Sequence, residues 1–117
     1  MLSIRKQQMA AFERAEVKKF VDRMVIHLNK FFSGKCAALG EPKLRETIRY
    51  GIKRAAAHGV TTERDVYKYV DLMIVFGADF DTDQRLPWAG KILQTRTNPV
   101  AKIQALLRSA RKQLKRR

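Results

Sequence analysis

Apolar residues fall into helical spacing along most of the chain. Val17, Phe20, Val21, Met24, Val25, Leu28, Phe31 and Phe32 recur at i, i+3, i+4, i+7, i+8, i+11, i+14 and i+15, with Lys18, Lys19, Asp22, Arg23 and Lys30 between them. This predicts an amphipathic helix over about residues 4–32. Ahead of it the pattern thins to Met9 and Phe12, and Ser33-Gly34 reads as its stop, because glycine takes the left-handed conformation past a helix end. Residues 35–41 then read as a linker. Pro42 suits a first helical turn, and Leu44, Ile48, Ile52, Ala55 and Ala56 predict the buried face of a second helix, ending near His58-Gly59. Lys43, Arg45, Glu46, Arg49 and Lys53 fall outside that face. Gly51 costs this helix roughly 1 kcal/mol relative to alanine, which points to a close helix crossing there.

Thr61 or Thr62 reads as the cap of a third helix over residues 63–76, with Asp65 three residues beyond Thr62 as a capping-box-like partner. Its second half, Leu72, Met73, Ile74, Val75 and Phe76, is apolar on every side, as expected of a helix with neighbours all round. An acidic loop follows Gly77, and Pro87-Trp88 opens a short helix to about Leu93. Asn98-Pro99 starts the last helix, with Val100, Ile103, Leu106, Leu107, Ala110 and Leu114 as its apolar stripe. The expectation is an all-α, single-domain bundle of four main helices plus one short helix, centred on residues 63–76. Residues 1–10 and 111–117 are expected to fray or be disordered.

Charge changes this picture at one end. The 117 residues carry a formal net charge of +14, and nine of the cations lie after Gly90, where no acidic residue occurs. Such a segment suits nucleic acid, an anionic membrane face or an acidic protein surface, all of which attract clustered Lys and Arg. It also fits a plain packed helix with a solvated tail. The residues expected to meet an anionic partner are Lys102, Arg108, Arg111, Lys112, Lys115, Arg116 and Arg117. A single cysteine, Cys36, gives no disulfide framework and suits a cytoplasmic protein. No signal peptide and no stretch of about 20 apolar residues is read.

Candidate chemistry is sparse. Asp79-x-Asp81-x-Asp83 begins like a calcium loop, but position 6 is Gln84 where the turn needs glycine, and position 12 is Gly90 where a bidentate glutamate is needed. The three aspartates and Trp88 read instead as a structural corner, or a protein contact, with Asp81 or Asp83 closing the turn before Leu86 and with Phe80 and Trp88 folded onto the core. Gly59-Val60-Thr61-Thr62 between two helices invites a helix-turn-helix reading, which Glu63, Asp65 and Asp71 on the following helix oppose, since phosphates repel them. His27 and His58 stand apart from any Ser or Cys motif and read as surface or capping residues. Lys35 beside Cys36 would lower the thiol's pKa. No cofactor and no metal set is expected, and the chain reads as non-enzymatic.

One resemblance emerges from these stretches. Ile48-Arg49-Tyr50-Gly51-Ile52, Gly59-Val60-Thr61-Thr62-Glu63-Arg64-Asp65-Val66, Tyr69-Val70-Asp71-Leu72-Met73 and Phe76-Gly77-Ala78-Asp79-Phe80-Asp81-Thr82-Asp83, continuing through Leu86-Pro87-Trp88-Ala89, resemble a group of small bacterial proteins encoded beside type VI secretion spikes and effectors. The similarity covers the chain from Gln7-Gln8-Met9 to the last helix, though the positive charge after Gly90 departs from the group. It implies a helical protein-binding module, an adaptor or chaperone for an effector or spike component. It implies no catalytic residue. Nucleic-acid binding through the basic last helix is the alternative, and the oligomeric state is left open.

Overall fold

A computed structural model describes the backbone of residues 2–115 and the side chains of residues 14–115. The expectations for the side chains of Met9 and Phe12, and for Arg116 and Arg117, lie outside the described residues. Every regular element among them is helical: α1 (Leu2–Phe31), α2 (Ser33–Leu39), α3 (Glu41–Ala57), α4 (Glu63–Phe76), α5 (Pro87–Leu93) and α6 (Pro99–Lys115). None is long and apolar enough to cross a membrane. The chain divides into two units, Met1–Arg45 and Glu46–Arg117.

In the first unit, the predicted stripe of α1 is buried at Phe20, Val21, Met24, Val25 and Leu28, while Val17 and Phe31 at its ends are exposed. The break after α1 comes at Phe32 rather than at Gly34, and the expected linker is helix α2. Its Ala, Leu and Lys content favours helix, and buried Cys36 anchors it. The glycine that closes α2 is Gly40, at φ 81°, whose N–H donates to the Cys36 carbonyl at 2.9 Å. Two short helices therefore accompany the four main ones. Burial raises the Cys36 thiol's pKa, against the lowering expected from Lys35.

The second unit is built on α4. Thr62 caps it by accepting from the Asp65 N–H at 3.4 Å, and Val66, Tyr69, Val70, Leu72 and Met73 are buried. Ile74, Val75 and Phe76 are only half-buried, so its last turn is not enclosed on all sides. α6 packs on both α4 and α5 through Ile103, Leu106 and Ala110. Asn98 caps α6, its Oδ1 accepting from the Ala101 N–H at 2.8 Å.

The buried face of α3 in this unit runs through Ile48, Gly51 and Ala55, while Ile52 is half-buried and Ala56 exposed. Gly51 is the close crossing that its position predicts. A Cβ there would lie 2.7 Å from Met73 Sδ and 2.9 Å from Val70 Cγ2. Gly51→Ala is therefore expected to destabilise the protein by about 1–2 kcal/mol, the overpacking exceeding the gain in helix propensity. Urea unfolding measures this, and a stabilised variant would refute the close crossing.

Candidate functional site

The loop between α4 and α5 is anchored by aromatic contacts at both ends. Gly77, at φ 112°, ends α4 with its N–H donating to the Met73 carbonyl at 2.8 Å. Phe80 is fully buried with its ring centroid 5.0 Å from that of Tyr69 on α4. Trp88 meets Phe76 edge-on at 5.3 Å. Successive turns follow, with the Thr82 N–H donating to the Asp79 carbonyl and the Leu86 N–H to that of Asp83.

This path puts each aspartate against a different partner. Tyr50 and Arg54 stand at i and i+4 on α3, and His58, the residue just past its end, continues their spacing at i+8. Tyr50 Oη donates to Asp79 Oδ1. Arg54 donates to Asp81 Oδ2 through Nε at 3.0 Å and through Nη2, and His58 Nε2 lies 2.9 Å from the same oxygen. Asp83 accepts from its neighbour Arg85, at 2.9 Å from the backbone N–H and 2.9 Å from Nη2. All three carboxylates are thus engaged within the unit. Asp83 closes the turn before Leu86, whereas Asp81 is an internal anchor. His58, expected at the surface or as a cap, is one of that anchor's partners.

Electrostatics explain why Asp81 stays charged. Its side chain is fully buried, and burial alone would raise its pKa. Hydrogen bonds from His58 and Arg54, together with the positive charge of Arg54, outweigh this and hold the carboxyl below its ordinary value. Burial, then the charge of Asp81, raise the Tyr69 phenol well above its ordinary value. Tyr69 Oη and Asp81 Oδ1 are both sealed from solvent. The Tyr50, Arg54 and His58 contacts therefore fasten the loop to α3, and among the described residues no group of His, Cys, Asp and Glu is arranged to hold a metal. Gly90, one of the two residues at which the calcium-loop register fails, has a steric role: a Cβ there would lie 3.3 Å from the Asp81 carbonyl oxygen.

The basic residues of α6 separate into two kinds. Lys102 is half-buried and donates from Nζ to the His58 carbonyl at 3.4 Å, a cation at the negative end of α3. Arg108, Arg111, Lys112 and Lys115 are exposed. Their i, i+3, i+4, i+7 spacing places them on one outward arc of the helix. None pairs with a carboxylate among the described residues, and α6 contains no acidic residue. Beside that arc lie Val100, Leu107 and Leu114, spaced by seven. Val100 and Leu114 are 38% and 47% exposed, and Leu107 is half-buried.

No family model, curated protein or solved structure matches the chain.

Proposed function

We propose that the chain is a non-enzymatic helical binding module whose contact surface is the outward face of α6, and that its partner is a protein with an acidic surface. The observation that carries this reading is the arc of Arg108, Arg111, Lys112 and Lys115, exposed and without carboxylate partners among the described residues. Clustered like charges on a packed helix raise the local potential and favour an anionic partner. The adjoining exposed Val100 and Leu114 favour a protein over a phosphate backbone, since apolar contact adds nothing to phosphate binding. In the setting that the sequence resemblance implies, the module is an adaptor or chaperone and the partner a secretion effector or spike component. The carboxylates of the α4–α5 loop, already engaged with Tyr50, Arg54, His58 and Arg85, hold the fold.

A variant with Arg108, Arg111, Lys112 and Lys115 all changed to glutamine tests this. Purified effector or spike components from the neighbouring genes are expected to bind the native chain in nuclease-treated samples, and to lose binding to the variant and at high salt. Equal binding by both proteins would overturn the reading.

The same arc supports a second reading, nucleic-acid binding through phosphate contacts. It predicts an affinity whose log–log salt slope is about 0.9 per neutralised phosphate. No gel shift at about 50 mM salt would remove it.

A further inference from the structure

We infer that the occupant of the α6 face is an acidic amphipathic helix, docked in heptad register along Val100, Leu107 and Leu114. The inference rests on the protein-binding reading above and names the form of the partner.

α6 carries a 3-4 apolar spacing through Val100, Ile103, Leu107, Ala110 and Leu114, the pattern of a helix–helix seam. Only part of that seam is used inside the unit. Ile103 and Ala110, with Leu106, are buried against α4 and α5, whereas the row Val100, Leu107 and Leu114 keeps an open side. That row spans roughly 21 Å, about four turns. Arg111 lies on it, four residues after Leu107 and three before Leu114, while Arg108 and Lys115 follow Leu107 and Leu114 along the chain and sit on its outer edge. An apolar row edged by cations calls for an apolar row edged by carboxylates, the arrangement by which e and g charges select coiled-coil partners.

Other occupants fit less well. A second copy would set α6 cations against α6 cations, because the helix has no acid, and like charges across an interface disfavour association. A membrane-surface helix needs a broad apolar face, and Ile103, Leu106 and Ala110 are committed to the interior. Duplex nucleic acid would use the cations and leave Val100 and Leu114 idle.

The test uses the full chain and three probes of equal negative charge: a 21-residue helical peptide with Leu at the seam positions and Glu beside them, the same peptide with its apolar residues moved off register, and poly-glutamate. Binding is read by fluorescence anisotropy, with a DNA duplex and anionic vesicles as further arms. The register peptide is expected to bind at least about tenfold tighter than either control, and Val100→Gln with Leu114→Gln to remove that advantage, about the effect of losing partial burial of two apolar side chains. Binding to DNA is expected to be unaffected by those two exposed-site changes. If the register peptide binds no better than poly-glutamate, the helix-docking inference falls while the acidic-partner reading stands. If neither acidic probe binds, the reading itself falls. Tighter binding to DNA or vesicles, weakened by the same two changes, would also overturn the inference.

Discussion

Arg54→Leu is expected to cost on the order of 3–5 kcal/mol, because it strands a charged group whose side chain is fully buried. The Asp81 side chain has no solvent exposure, and Arg54 supplies two of its three close contacts. Without the guanidinium, burial dominates and the carboxyl must take a proton or lean on His58 alone. The reverse change is milder. Arg54 is 31% exposed and His58 22%, so after Asp81→Leu both turn to water, and the expected cost is about 2 kcal/mol. The double variant should cost less than the sum of the two. The sign with pH follows from the lowered Asp81 pKa. A carboxylate held below its ordinary value stabilises fully above the unfolded value of about 4, and that stability is lost as pH falls through the folded value. The gap between native chain and Arg54→Leu should therefore be widest near neutrality and close in acid. Urea midpoints across this range measure it, and a pH-independent gap would contradict the charged anchor.

Phe80→Ala should have an effect of similar size, about 3–5 kcal/mol, through lost burial and the cavity left behind. Phe80 is fully buried with its ring against Tyr69, and it lies next to Asp81. The substitution removes the apolar anchor of the loop while leaving the ionic one. Phe80→Leu keeps much of the volume and should cost about 1–2 kcal/mol. The sole tryptophan reports locally, since Trp88 packs on Phe76 at the loop's far end. Its emission should shift to the red in the alanine variant and hold in the leucine variant. Unchanged urea midpoints in both would show that the loop is not anchored through Phe80.

Local signals in the sequence were good guides where the chemistry is local. Thr62 and Asn98 cap their helices, Pro87 begins α5, and Gly51 marks the α3–α4 crossing, because each depends on a few neighbouring residues. The exposed arc of α6 was legible for the same reason, since helical spacing alone sets which cations share a face. α2 was missed because Gly34 resembles a stop signal, although it does not take positive φ, and Gly40 does. The anchor at Asp81 was missed for a different reason. Its partners lie 23 and 27 residues away, and nothing local ties α3 to the loop. The usable signal was the spacing of Tyr50 and Arg54 on one side of α3 with His58 just past its end, a polar line matching the alternating Asp79 and Asp81. The exposure of Val100 and Leu114 also required the fold, since spacing places them on the apolar stripe without saying where its cover ends.

The claim that the outward face of α6 is the contact surface is tested most directly by titrating the isotopically labelled full chain with the acidic heptad peptide and following backbone amide resonances. The prediction is that shifts concentrate over residues 100–115, with Arg108, Arg111 and Leu114 among the largest, and that residues 79–86 hold their positions. Shifts centred on the aspartate loop, or none at all at low salt, would contradict it.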